Sequence, residues 1–227
     1  MTFSDKLYKV LIQGGSWKTI LGGLWVTVQI SLLALILGTV LGTLVCLLRT
    51  RKNPVVRGVA SMYIAILRGM PALMLLLLLY YGVLARAGLK PVTVAVITFA
   101  LNVSAHVCEL LRTALGATDR GQVEAARTLG FSAWETFRLI TLPQVLRIAK
   151  PVYQSTIVNL IQWTSVVGYV TITDLTRVIN NTASRTMQPL LTISIGMLIY
   201  LALSYLVFGI FALTDRVASK KRGGEAV

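Results

Sequence analysis

Polar side chains able to hydrogen-bond or carry charge recur at helical spacing in two otherwise apolar stretches. In the first, Thr98, Asn102, His106, Glu109 and Arg112 follow one another every three or four residues and so share one helix face. In the second, Ser155, Asn159, Gln162 and Ser165 do the same, with Thr164 beside them. Amides, hydroxyls and ionisable groups facing hydrocarbon are costly, so both faces are expected to turn toward protein or a water-filled cavity. Two arrangements satisfy that: hydrogen bonds between helices of a bundle, or the wall of a path for a polar solute, with Asn102, His106, Asn159, Gln162, Thr164 and Ser165 as candidate lining. Glu109 and Arg112, three residues apart, are also spaced to pair with each other.

Catalytic chemistry is not indicated. The chain has one His, no HExxH and no nucleophile–base set, so no catalytic residue is assigned. Cys46 and Cys108 lie in apolar segments without CxxC or His-rich spacing and read as small hydrophobes; no metal site is expected. No GxxxxGK[ST] is present, so any ATP chemistry, with its Mg, must belong to another protein and no cofactor is assigned to this chain.

The elements that hold these residues are membrane helices. Of 227 residues, 56% are hydrophobic and 13% charged, and the apolar residues come in blocks near the roughly 20 needed to cross a bilayer. Five spans are expected, at about residues 20–48, 58–84, 92–112, 151–170 and 189–213. The second is broken by "LRGMP", where Pro71 removes a helical hydrogen bond and Gly69 loosens the same turn; Arg68 there is expected to anchor structure. "GTVLG", Gly38 to Gly42, offers a small face for close helix packing. The excess of 22 Lys and Arg over 8 acids has no interleaved aromatic stripe, so it points to membrane topology and not to nucleic acid. Four bases in "RTRKNPVVRG", six in residues 112–150 and four beyond Thr214 put 14 on one side, against 7 on the other. The reading is therefore an all-α integral membrane protein with five transmembrane helices, N-terminus out and C-terminus in. It divides into an N-terminal extracytoplasmic amphipathic segment (1–19), a five-helix transmembrane domain (20–213) and a basic cytoplasmic tail (214–227).

One long polar connection, residues 113–150, falls on the cytoplasmic side. Asp119 is placed to cap a helix, with Gln122 completing a capping box; helix formers follow, and Gly130 is the expected left-handed terminator. Ser132 and Glu135 form a second box, Phe137, Leu139 and Ile140 give an apolar side, and Pro143 is expected to stop or bend the second helix. The result is a helix–Gly–helix loop offering Trp134 and Phe137 to a partner.

These residues resemble a known family. Glu-Ala-Ala, three residues, Gly130, nine residues, Ile140, one residue and Leu142-Pro143 are similar to the EAA loop of ATP-binding-cassette importer permeases. "GLWVTVQISLLALILGTVLGTLVCLLR", "LRGMP", "CELLRTAL", "RGQVEAARTLG", "LPQVLRIAKP" and "SRTMQPL" resemble the polar amino-acid uptake branch, over roughly residues 19–213. The resemblance implies a MetI-like permease subunit in a bacterial cytoplasmic (inner) membrane. It would work with ATPase subunits, a second permease subunit, an extracytoplasmic solute-binding protein and membrane lipid. It also implies that Glu124, Ala125, Ala126, Gly130, Ile140, Leu142 and Pro143 carry the ATPase contact. Where many members read "LKDTSL", this chain reads "LIQWTSV", so Gln162 and Trp163 replace Lys-Asp and no acid is offered there to a cationic solute. A secondary transporter or channel independent of ATP is the alternative, disfavoured by the lack of internal repetition and of a buried acidic relay.

Overall fold

The computed structural model describes residues 2–84 and 87–223. All regular structure among them is helical. A short amphipathic helix, α1 (Phe3–Leu11), carries a Thr2/Asp5 capping box and leads through a 3-10 turn into α2 (Ser16–Arg49). Then come α3 (Pro54–Gly69), α4 (Ala72–Leu77) with a π-helical continuation at Leu78–Val83, and α5 (Pro91–Gly116). The polar connection holds α6 (Arg120–Thr128) and α7 (Ala133–Thr136); α8 (Leu142–Trp163), a 3-10 segment (Thr164–Val170), α9 (Leu175–Thr186) and α10 (Pro189–Gly223) complete the chain.

Three of these helices are long and apolar enough to cross a membrane: Ser16–Arg49, Pro91–Gly116 and Pro189–Arg216. A fourth span results if the bent pair Pro54–Gly69 and Ala72–Val83 counts as one. The pair is bent by 108° at "LRGMP". Met70 is driven extended (φ −95°, ψ 136°) because it precedes Pro71, and α3 ends there. The expected fourth span is displaced: α8 starts at Leu142 and reaches only Trp163, with the remainder to Val170 in a 3-10 turn. Arg147 and Lys150, together with Gln144, Gln154, Asn159 and Gln162, keep its mean hydropathy too low for the apolar class.

Two glycines bring α2 against α5. A Cβ on Gly38 would lie 2.7 Å from Val103 Cβ, and one on Gly42 only 2.6 Å from the Ser104 carbonyl oxygen and 2.8 Å from Val107 Cβ. The small face of "GTVLG" is thus a backbone-to-backbone seam. The order of contacts shows that α2 and α5 run parallel, with Arg49 reaching Glu109 at their shared C-terminal end. The main core lies along this seam, where Ile30, Ala34, Phe99, Val103 and Val107 meet Leu76 and Leu160. A second cluster holds Cys46 and Cys108 with Ala60, Ile64 and Leu67, consistent with cysteines acting as small hydrophobes.

α8 runs back against α5: Val145 and Ala149 pack on Leu110 and Ala114. α10 then reverses again, since Val158 meets Val207 and Lys150 binds Asp215 and Thr214. α9 closes the opposite end of the bundle. Its cap, Asp174, packs its carbonyl against Gly23, and Thr27 Oγ1 accepts the Leu175 N–H at 3.2 Å.

Candidate functional site

Two regions combine exposed chemistry with a defined scaffold. The first is the connection between α5 and α8. Asp119 caps α6 by accepting the Gly121 N–H (2.9 Å) and the Gln122 N–H (3.4 Å). The expected reciprocal bond from Gln122 is not made. Its side chain instead accepts from Gln144 Nε2 at 3.0 Å, while Gln144 Oε1 accepts the Asp119 N–H at 3.0 Å. Gln144 therefore ties the start of α6 to the first turn of α8, a long-range bond that no local spacing announces.

α6 ends as expected. Gly130 has φ +88°, and the paired bonds Gly130 N to Arg127 O and Phe131 N to Ala126 O form a Schellman motif. Ser132 and Glu135 form the full capping box of α7, with bonds of 3.2 and 2.8 Å. Those bonds from Ser132 hold the exposed Glu135 carboxyl below the usual glutamate range.

Pro143 does not stop the helix. α7 passes into a π-helical turn, Phe137–Thr141, and α8 begins at Leu142 with Pro143 in its first turn. A proline there cannot donate to the residue 139 carbonyl and would press its ring on it; widening the preceding turn by one residue removes both conflicts. The second half of the loop therefore passes without a break in helical structure into α8.

Ala126 and Thr136 are buried where the two short helices meet, whereas apolar side chains point away. Leu129 is 79% exposed and Trp134 66%, Trp134 stacks on Phe137 at 5.9 Å, and Phe131 and Leu139 are exposed nearby. Of the residues marked for the ATPase contact, Glu124, Ala125, Gly130 and Pro143 are exposed, Ile140 and Leu142 half-buried, and Ala126 buried as the packing residue between the helices. These exposed apolar side chains lie together on an otherwise polar element closed by capping bonds.

The second region holds the polar faces. On α5, Asn102 is buried and donates Nδ2 to the Leu67 carbonyl at 3.2 Å, stitching α5 to the end of α3; its Oδ1 has no partner among the described residues. Thr98 bonds back to Val94 O (2.8 Å). His106 stacks on Trp163, ring centroids 5.2 Å apart. Glu109 gathers arginines from three helices: Arg49 of α2, Arg112 of α5 and, at 3.9 Å, Arg68 of α3. The expected Glu109–Arg112 pair is thus part of a larger knot, and Arg68 anchors as anticipated.

On α8, Ser155, Asn159 and Gln162 are exposed, while Thr164 is fully buried with its hydroxyl on Ile161 O (2.6 Å). The six candidate lining residues therefore do not form one wall. His106 lines a cavity of about 220 Å³ with Arg68, Glu109 and Thr156. Gln162 lines another of about 360 Å³ with Thr176, Asn180, Tyr200 and Ser204. Ser165 lines a third of about 550 Å³ with Tyr169, Thr176, Arg177, Asn180 and Asn181. Asn102 and Thr164 serve packing. The contribution of α9 was missed, because "TRVINN" lies outside the apolar runs and gives no sign of where it folds back.

This architecture has close counterparts. The sequence profile described as "Binding-protein-dependent transport system inner membrane component" matches residues 15–220. The chain is 37% identical over 162 residues to a probable amino-acid ABC transporter permease protein of Bacillus subtilis, YckA, covering 70% of this chain and 71% of that one. It is 32% identical over 186 residues to the L-cystine transport system permease protein TcyB of the same organism, covering 82% and 80%. Among solved structures, that of an amino acid ABC transporter with histidines superposes with TM-score 0.80 at 29% identity, over 88% of this chain and 94% of that one. The inward-facing MetNI methionine ABC transporter shares the fold, with TM-score 0.77 at 19% identity over 91% and 99%. The chain belongs to the family of inner membrane components of binding-protein-dependent transport systems.

Proposed function

We propose that this chain is the permease subunit of an ATP-driven importer for an amino acid or similar small polar solute, and that residues 119–143 couple it to a separate ATPase. The observation that carries this reading is the mechanical continuity of the loop. Two short helices, each closed by capping bonds, are tied by Gln144 to helical structure that passes unbroken into α8, so displacement of the loop must move the membrane helix. Leu129, Phe131, Trp134 and Phe137 offer the apolar contact area, and Glu124, Ala125, Ala126, Gly130, Ile140, Leu142 and Pro143 shape it.

A five-span topology, N-terminus out and C-terminus in, is supported by the alternating direction of α2, the bent α3–α4 pair, α5, α8 and α10, and by the bias of basic residues toward the loop-bearing side. ATP and Mg act on the partner, this chain binding no cofactor; a second permease subunit and an extracytoplasmic solute-binding protein complete the machine in a bacterial inner membrane. The amino-acid reading is supported by relatives named for amino-acid and L-cystine transport. Solute would pass the cavities lined by Gln162, Ser165 and His106 as the ATPase opens and closes the bundle.

Glu124→Lys changes an exposed side chain, and Gly130→Pro forbids the +88° φ of the joint. Both variants are expected to insert into the membrane but to lose co-purification with the ATPase subunit. Normal co-purification of both would remove the coupling role, and solute uptake by the chain without any ATPase would replace it with secondary transport.

A further inference from the structure

The largest of the three cavities is also the most polar and holds a cation with no counterion among the described residues. It opens between the 3-10 segment Thr164–Val170 and α9, at the end of the bundle opposite the α6–α7 loop. Ser165, Tyr169, Thr176, Arg177, Asn180 and Asn181 line it, so hydrogen-bonding groups face the space from both elements. Arg177 is the one charged residue among them, and no ion pair among the described residues includes it. Its nearest acid in sequence, Asp174, is fully buried and accepts the backbone N–H groups of Thr176 (3.1 Å) and Arg177 (3.0 Å).

Arg177 is held in place. One guanidinium nitrogen, Nη1, donates to the Gly168 carbonyl at 2.7 Å, which fixes the group across the recess. The other N–H groups form a planar fork suited to a carboxylate. The amide oxygen of Asn180 and the hydroxyl of Ser165 supply acceptors for an ammonium group. The adjoining cavity shares Thr176 and Asn180 and continues past Gln162 to Met197 and Tyr200, so a less polar side chain could trail into it. Neither cavity is lined by a carboxylate.

We propose that this recess is a solute-receiving site on the extracytoplasmic side and that Arg177 binds the carboxylate of the transported solute there. The inference rests on the importer reading above and adds the residue that recognises the solute and the group it recognises. An α-amino acid presents both the carboxylate and the ammonium that the recess can bind. A solute whose carboxylate is masked loses the arginine contact.

The test uses the whole transporter in proteoliposomes, with its ATPase subunit and solute-binding protein. The probe is a radiolabelled mixture of the twenty standard L-amino acids, with L-cystine assayed separately. Arg177→Gln removes the cation, Arg177→Lys keeps it, and Asn181→Asp adds a repelling charge without touching the Arg177–Gly168 bond. Expected results are at least a tenfold loss of uptake for Arg177→Gln and Asn181→Asp, and a loss of about threefold or less for Arg177→Lys, with thermal unfolding of Asn181→Asp within about 2 °C of the parent. If Arg177→Gln does not fold, Asn181→Asp decides. Uptake within twofold of the parent for Asn181→Asp and for any folded Arg177→Gln overturns the site while leaving the importer reading intact. A parent transporter that takes up neither probe overturns the importer reading and the site with it.

Discussion

Gly42→Ala measures how tightly α2 and α5 are joined. The added Cβ would meet the Ser104 carbonyl oxygen at 2.6 Å and Val107 Cβ at 2.8 Å, whereas ordinary contact begins near 3.4 Å. The obstacle is main chain on a core helix and cannot rotate away, so the helices must part by about 0.8 Å at this point. Overpacking of this kind costs about 2–3 kcal/mol. Replacing Gly by Ala inside a helix returns about 1 kcal/mol, leaving a net loss of about 1–2 kcal/mol. For a chain of this size that corresponds to a fall of about 2–8 °C in unfolding temperature. Gly58→Ala is the control: nothing lies within 4 Å of its added Cβ, so the helix term alone applies and stability should rise by about 2–4 °C. Cys46 and Cys108 are both buried in the packing beside the seam, so a thiol-reactive fluorophore reports unfolding without any introduced label. An unfolding temperature for Gly42→Ala equal to or above that of Gly58→Ala would refute the packing of α2 on α5 described above.

Breaking the arginine knot by Glu109→Gln leaves Arg49, Arg68 and Arg112 facing one another; a double-mutant cycle with Arg49→Ala should give a coupling of about 2 kcal/mol, and near-additivity would count against it. The capping box of α7 should weaken in acid. The Glu135 carboxyl titrates below its unfolded value because of its bonds to Ser132, so its contribution is complete above about pH 4.3 and is lost as pH falls through the lower folded value. Protection of the amides of residues 133–137, taken relative to the intrinsic exchange rate at each pH, should therefore fall below that pH in the parent and show no such step in Glu135→Gln. Trp163→Ala removes the ring that covers His106, and histidine modification by diethyl pyrocarbonate should accelerate at least threefold; an unchanged rate would mean that the stack does not shield His106.

What the sequence made legible was local. The caps at Asp119, Ser132 and Gly130 follow from side-chain and backbone preferences within four residues, and each appears where spacing put it. The break at "LRGMP" is equally local, since Pro71 constrains its own turn and the residue before it. The same holds for the glycine face of α2, although only the structure shows that α5 fills it. Three features escaped because their causes lie far along the chain. Gln122 abandons its capping box for a bond to Gln144, twenty-two residues away. Pro143, an apparent helix stop, becomes the first turn of α8 once a π turn relieves it. Periodicity left open whether the polar faces of α5 and α8 bond to other helices or line a path; in the fold Asn102 is held by the Leu67 carbonyl, Thr164 is sealed into the core, and the charged recess is lined by Arg177 of α9, outside both faces.

The coupling claim is tested most directly by placing a photo-crosslinking side chain at Leu129 or Trp134 in the assembled transporter, since both are exposed at the tip of the loop. The account predicts covalent capture of the ATPase subunit, with a yield that changes when ATP is added. Crosslinks confined to lipid or to the solute-binding protein, with none to the ATPase, would contradict it.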